Sequence, residues 1–246
     1  MTQTLGIIGS GQVGGAVARL AATAGWDVVL SNSRGPETLD GLVSELGHRA
    51  RAATPAEAAA ASDVVVVAAP LLALDQLPRE ALAGRVVIDA MNYSPERDGR
   101  MPDLEADRLT SSELVQRHLA GAVVVKALNS ITPQHLLALA RPAGAPDRSA
   151  LPTAGGDAAA KGAVAAVLDG LGYDAVDVGD LAESWRFGPN TPLYALAYGG
   201  EVPAGMSGMA LYTWFLATPG APVAAGQVER LARDAVRGPA ALSLDG

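Results

Sequence analysis

Residues 6–39 read GIIGSGQVGGAVARLAATAGWDVVLSNSRGPETL. An apolar run leads into Gly9-Ser10-Gly11-Gln12-Val13-Gly14, an Ala-rich stretch follows, and a second apolar run closes at Leu30. The pattern G-x-G-x-x-G is weak in isolation, but between a strand and a helix it has a defined use. Gly9 permits the tight turn, Gly11 lets the backbone approach a pyrophosphate, and Gly14 allows the helix to pack closely on the strand. Free N–H groups at the helix start then hold the phosphates. The stretch predicts a dinucleotide-binding unit.

The end of its second strand refines that reading. Units that bind NAD place an Asp or Glu about twenty residues past the glycines, where it accepts from the ribose hydroxyls. Here Ser31, Asn32, Ser33 and Arg34 occupy that corner. Ser31 brings no charge to repel a 2′-phosphate, Asn32 and Ser33 can donate to one, and Arg34 offers a two-pronged, charge-assisted contact. NADP(H) is the cofactor these residues select.

Outward from this unit, short β-branched runs alternate with Ala-rich stretches. Strands are expected near residues 4–9, 27–31, 49–52, 63–68, 85–89, 122–126, 150–154 and 174–178. Runs such as DVVVVAAP and GAVVVKAL are apolar without alternation, as strands buried on both faces are. Thr54-Pro55-Ala56-Glu57 and Thr110-Ser111-Ser112-Glu113 are capping boxes, Thr132-Pro133 is a further helix entry, and Asp157 is expected to cap a helix over 158–170. Gly170 or Gly172 would end it. Residues 92–109 read as a long polar loop at a strand's carboxyl end, a frequent location for function. The βα rhythm stops near Asp180. The expected fold is α/β, a Rossmann-type doubly wound parallel sheet over residues 1–179, with a small, mostly helical C-terminal part over 180–246.

Composition narrows the function classes. The 246-residue chain is 49% hydrophobic and 18% charged, enough for a sizeable core. Its net charge of −8 argues against a nucleic-acid partner, because phosphate neutralisation needs a basic surface. Cysteine is absent, which removes disulfide and thiolate chemistry. No basic leader precedes the first strand, and the longest apolar stretch, 193–217, is broken by Gly199, Gly200, Glu201 and Pro203, so a cytoplasmic protein without membrane association is expected.

Several residues fall at strand carboxyl ends, where open α/β sheets bind ligands. Ala69 and Pro70 close the fourth strand along the expected cofactor path, Asn92 closes the fifth and Asn129 lies past the sixth. Both asparagines can also serve as turn or cap residues. Lys126 follows Val123-Val124-Val125 in a chain with only two lysines. A lysine there is costly unless paired or exposed at its tip, so it either donates to a substrate or the nicotinamide, or snorkels at the sheet end. His48, His118 and His135 are scattered and read as structural; no metal site is expected.

Taken together, SNSRGPETL, DAMNYSPERDG, TSSELVQRHLAGAVVVKALNSI and GDLAESWRFGPNTPLY resemble the family of F420-dependent NADP oxidoreductases over roughly residues 4–194. That family's NADP-binding domain is also similar to the reductase domain of the six-transmembrane epithelial antigens. The resemblance implies hydride exchange between NADPH and coenzyme F420. It implies a cradle at Ser10, Gln12 and Val13, a 2′-phosphate corner at Ser31–Arg34, and a nicotinamide path along Ala69 and Pro70. It also implies a deazaflavin pocket closed by Ser184, Thr191, Pro192 and Leu193, with Trp185-Arg186-Phe187 adding bulk and charge beside it. Lys126 and Asn129, then Arg186 and the backbone near Thr191, are the donors expected to stabilise charge on the reduced ring. The chain extends about fifty residues past the family's Thr-Pro-Leu step. Its Met206, Met209, Tyr212, Trp214 and Phe215 read as packing, with a homodimer interface in view, or as a remodelled substrate lid.

Two other functions fit the same residues. One is an NADPH-dependent reductase of a small imine, ketone or enone, for which Tyr93, Lys126, His135, Tyr194 or Tyr198 could supply the proton. The other is a non-catalytic NADP-binding protein.

Overall fold

In the computed structural model, residues 3–238 are described. The side chain of Tyr212 and the part of the 180–246 segment beyond Gly238 lie outside the described residues. The chain forms β1 (Thr4–Ile8), α1 (Gln12–Thr23), β2 (Asp27–Ser31), α2 (Asp40–Leu46), β3 (Ala50–Ala52), α3 (Pro55–Ala60), β4 (Val64–Val67), α4 (Arg79–Leu82) and β5 (Val86–Asp89). It continues through α5 (Pro95–Asp98), α6 (Pro102–Glu105), α7 (Ser111–His118), β6 (Val123–Lys126), α8 (Pro133–Ala138), β7 (Ala150–Ala154), α9 (Ala158–Leu171) and β8 (Asp174–Gly179). A 3-10 segment, Leu181–Phe187, leads to α10 (Leu196–Gly199), α11 (Gly208–Ala217) and α12 (Ala225–Arg233).

The eight strands make one sheet in the order β3-β2-β1-β4-β5-β6-β7-β8. The chain therefore winds outward from β1 in one direction, returns, and winds outward from β4 in the other. The crossover between β1 and β4 is the switch point at which such sheets bind ligands. Strand periodicity explains the two-sided core: Leu5, Ile7, Val66 and Ile88 belong to one apolar layer, and Ile8, Val65, Val67 and Val87 to the opposite one. Burial on both faces is why these strands lack polar alternation.

One junction departs from the parallel pattern. β6 and β7 meet antiparallel, through the single pairing Lys126↔Ala154, whereas β7 and β8 pair parallel. The expected polar loop over 92–109 also differs, because it folds into α5 and α6 around two prolines, Pro95 and Pro102, each at a helix start. Both capping boxes form: Thr54 with Glu57, and Thr110 with Glu113. Asp157 caps α9, and Gly172, at φ +101°, ends it in the left-handed conformation. Thr132 caps α8 without a side-chain cap bond; its hydroxyl meets His135 Nδ1 instead.

The C-terminal segment returns to the sheet. α12 packs on β7 and β8, and Val223, Val228 and Ala232 join the core layer that contains α1 and α9. α11 is nearly as apolar as a core helix, yet of its described side chains only Phe215 is buried, edge-on to His135. Met209 and Leu216 are exposed. Among the described residues no helix is long and apolar enough to cross a membrane.

Candidate active site

The glycine turn forms at the end of β1. Gly9 holds φ +98°, and a Cβ there would stand 2.4 Å from the Ala68 carbonyl oxygen of the neighbouring β4 end. At Gly14 a Cβ would meet the Gly9 carbonyl oxygen at 1.9 Å, so α1 can sit this close to the strand only without a side chain. Gly11 is different. A Cβ on it would meet nothing within 4 Å, and would project into open space at the start of α1. That space is where a bound diphosphate needs access to the backbone. No side chain caps α1 and its first turn carries no acid, so its leading N–H groups and positive end face solvent. Gly9 N–H and the Ser10 hydroxyl both donate to the Ser31 carbonyl oxygen, at 2.9 and 3.0 Å, which ties the turn to the end of β2.

Two clefts open on either side of this turn, sharing Ala68, Ala69 and Pro70 as a common floor. The first, about 650 Å3, lies over the β2 side and is lined by Gly9–Gly11, Asn32–Pro36, Thr54, Pro55 and Gln76 among others. The second, about 440 Å3, lies over the ends of β4 and β5 and is lined by Gln12, Val13, Asn92, Arg97, Pro189 and Tyr194 among others. An extended dinucleotide crossing the turn would place one half in each.

Within the first cleft the corner residues divide. Ser33 and Arg34 are exposed, and Arg34 makes no ion pair among the described residues. Asn32 shapes the corner: its Oδ1 accepts from Arg34 N–H at 2.9 Å and its Nδ2 donates to Thr38 at 2.8 Å. Ser31 departs from expectation. It is fully buried and its hydroxyl donates to the Ile7 carbonyl oxygen at 3.1 Å, so it cannot also reach a ligand. Residue 31 is still part of β2, whose pleat points this side chain into the sheet.

Lys126 is also corrected. It neither snorkels nor presents a free ammonium; it is 2% exposed, with Nζ 3.2 Å from Asp89 Oδ2 and hydrogen-bonded to the Met91 carbonyl oxygen. Asp89 in turn accepts from the Ser112 hydroxyl and from Met91 N–H. Burial holds the Lys126 ammonium below its ordinary pKa, against the pull of Asp89. Asn92 and Asn129 bond each other reciprocally: Asn92 Nδ2 donates to the Asn129 carbonyl oxygen at 2.9 Å, and Asn129 Nδ2 to Asn92 Oδ1 at 3.2 Å. Asn129 Nδ2 also reaches the Phe187 carbonyl oxygen. These residues fasten the ends of β5 and β6 and the 3-10 segment to one another.

The residues expected around a deazaflavin separate. Ser184, Trp185 and Thr191 line a small chamber of about 50 Å3, with Lys126, Thr110 and Arg237. It has room for a few waters at most, not for a tricyclic ring. Ser184 is buried, Thr191 donates to the Gly188 carbonyl oxygen, and Arg237, paired with Asp107 and stacked on Trp185, stands across the chamber. Arg186 turns to Glu183 and to the carbonyl of Ala232 at the end of α12. Pro192 is exposed and lines neither this chamber nor the open cleft.

The open cleft is lined instead by Pro189, Tyr194 and Arg97, which motif reading does not single out as ligands. Arg97 donates to the Asn92 carbonyl oxygen at 2.6 Å and pairs with Asp98 at 2.8 Å. The only sequence signal for it is the polar stretch after β5 to which it belongs. Of the candidate proton donors, His135 is buried between Thr132 and the Thr218 carbonyl, Tyr198 is buried on the Ala150 carbonyl oxygen, and the Tyr93 hydroxyl serves Gly99, Met101 and Glu105. Tyr93 and Tyr194 both line the open cleft, but only Tyr194 leaves its hydroxyl proton without a described acceptor.

Residues 4–93 match the family model described as NADP oxidoreductase, coenzyme F420-dependent. Among solved structures, a hypothetical protein from Sinorhizobium meliloti is 30% identical with a TM-score of 0.69, the alignment covering 79% of this chain and 94% of that one. A candidate F420-dependent NADP reductase from Arthrobacter sp. FB24 is 27% identical with a TM-score of 0.62, covering 75% of this chain and 87% of that one. A reductive aminase from Aspergillus terreus, solved with NADPH and ethyl levulinate, is 22% identical with a TM-score of 0.52 and shares the fold; the alignment covers 74% of this chain and 56% of that one. No curated protein matches the sequence.

Proposed function

Because the chain belongs to the coenzyme F420-dependent NADP oxidoreductase family, we propose that it binds NADP(H) across the β1–β4 switch point and exchanges a hydride with coenzyme F420 in the cleft over β4 and β5. The observation that carries this reading is the pair of clefts meeting at a ligand-ready glycine turn, with an Arg34-bearing corner on one side whose residues 31–34, at the end of β2, include no acid. When bound, NADPH supplies the hydride and its electron pair. The protein's part is orientation and exclusion of water.

Each residue has a distinct task in this reading. Gly11, Gln12 and Val13 offer N–H groups to the diphosphate, and the exposed Arg34 and Ser33 grip the 2′-phosphate. Ala69 and Pro70 carry the nicotinamide arm from the first cleft into the second, with Val13 against it. The second ring then stacks in the 440 Å3 cleft between Pro189, Tyr194 and Asn92, rather than in the chamber bounded by Ser184 and Thr191. Lys126 and Asn129 act one layer behind, holding the backbone of residues 89–92 and 187 in place.

The test mixes protein, NADPH and purified coenzyme F420 and follows both chromophores together. Matched loss of NADPH and reduction of the deazaflavin is expected. NADPH consumption only with imines or ketones, or binding without turnover, overturns the assignment.

A further inference from the structure

Hydride transfer to an acceptor ring leaves a proton to be delivered, and the second cleft holds one group built to give it. Tyr194 faces the cleft beside Gln12, Val13 and Pro70. Its Oη accepts a hydrogen bond from Asn92 Nδ2 at 3.5 Å, and among the described hydrogen bonds its own proton has no acceptor. A phenol whose oxygen accepts from the protein and whose own proton has no described acceptor, at the wall of an open cleft, is free to serve as a donor. Asn92 is itself fixed by Asn129 and sits at the end of β5, so the donor is anchored to the sheet.

We propose that Tyr194 is the general acid of this protein, delivering a proton from Oη to the heteroatom of the acceptor as the hydride arrives at its carbon. The proposal rests on the hydride-transfer reading above. The C–H bond at the nicotinamide breaks with its electron pair, and a new C–H bond forms on the acceptor. NADPH is oxidised and the acceptor reduced. The Tyr194 O–H bond breaks, its proton joins the acceptor nitrogen or oxygen, and the phenolate recovers a proton from solvent through the open side of the cleft.

The surroundings suit that cycle. Burial raises the Tyr194 phenol above its ordinary pKa and keeps it protonated at neutral pH, while Arg97, on α5, opposes that shift and the Asn92 amide donates to the phenol oxygen. Asp98 shares the Arg97 charge and accepts hydrogen bonds from the Ser94 and Leu72 amides. The requirement is general to polarised C=N, C=O and deazaflavin acceptors, so it does not depend on which of them the cleft takes.

The experiment is single-turnover reduction by NADPH, of coenzyme F420 and in parallel of a cyclic imine, for the wild type and Tyr194→Phe. NADPH affinity is measured by fluorescence for both proteins. The expected result is a rate lower by about a hundredfold or more in the variant, with NADPH affinity unchanged. A variant within about threefold of wild type, well short of general-acid loss, overturns the inference while leaving the hydride-transfer reading intact. So does a rate loss matched by an equal loss of NADPH affinity. Wild-type reduction of the imine alone overturns the deazaflavin reading, and Tyr194 is then judged on the imine. Wild-type protein that binds NADPH and reduces neither acceptor overturns both.

Discussion

Arg34 and Lys126 carry the same charge, yet the fold uses them in opposite ways. Arg34 stands exposed at the corner of the first cleft without a described ion pair, available to an incoming phosphate. A hydrogen bond to a charged group is worth about 1.5–3 kcal/mol, on the order of ten- to a hundredfold in affinity. Arg34→Ala should therefore raise the KM for NADPH by that factor and leave the KM for NADH nearly unchanged; equal changes for both would remove the corner from cofactor choice. Lys126, by contrast, is locked against Asp89 in the core. Lys126→Met leaves a buried carboxylate without its cation and should cost about 3–5 kcal/mol in urea unfolding, much of it recovered by Lys126→Met with Asp89→Leu. Its depressed pKa also sets a sign. Between that pKa and the ordinary value of 10.5 the unfolded chain binds more protons than the folded one, so this residue's contribution to stability rises with pH there. The Met variant should lose that component of the slope.

At the scale of elements, what the sequence reveals follows from what it can encode locally. The central strands β4, β5 and β6 are legible because Val-rich runs largely buried on both faces have no other use, and both capping boxes are legible because their partners lie three residues apart. The glycine turn is legible for the same reason. The orientation of Ser31, the partner of Lys126 and the turn of Arg186 toward α12 are not, since each is decided by a neighbour 24 to 46 residues away in the chain. Arg97 escapes for a related reason, and Tyr194, legible as one of five possible proton donors, is not placed beside it: the two come to one cleft from segments that neither motif nor period connects. The segment carrying Arg97 shows how such a cleft wall is held. Burial pushes the Asp98 carboxyl up, but Arg97 and the amides of Ser94 and Leu72 outweigh it and hold it below the usual carboxylate range. Its contribution is thus fully present at neutral pH and is lost as the pH falls from about 3.8 through the lower folded value. Asp98→Asn should loosen α5 at pH 7, read as faster amide exchange over residues 93–99 with the exchange of β1 and β4 unchanged. Uniform acceleration across the sheet would mean that α5 is not a separate unit.

For the molecule as a whole, the switch point couples cofactor binding to stability, because the two clefts are built from segments far apart in the chain. The first draws on residues 8–11, 32–36, 54–55 and 68–77, and the second adds 90–97 and 189–194. None of these surfaces exists in the unfolded chain, so a ligand spanning both binds the folded state alone and stabilises it by mass action. At a concentration about a hundred times its Kd the gain is about 2.7 kcal/mol, which for a chain of this size raises Tm by roughly 5–10 °C. NADPH should produce such a shift, and NADH at the same concentration a markedly smaller one. Salt gives a further discrimination. The Arg34 contact is exposed and is screened within about 8 Å at physiological ionic strength, whereas the backbone cradle and the apolar floor at Ala68–Pro70 are not charged. Raising the salt should therefore erode the advantage of NADPH over NADH while leaving the NADH shift nearly constant, as read by thermal unfolding at matched nucleotide concentrations. If the two nucleotides shifted Tm equally at low salt, the corner after β2 would not be reading the extra phosphate, and the selection of NADP(H) would fall with it.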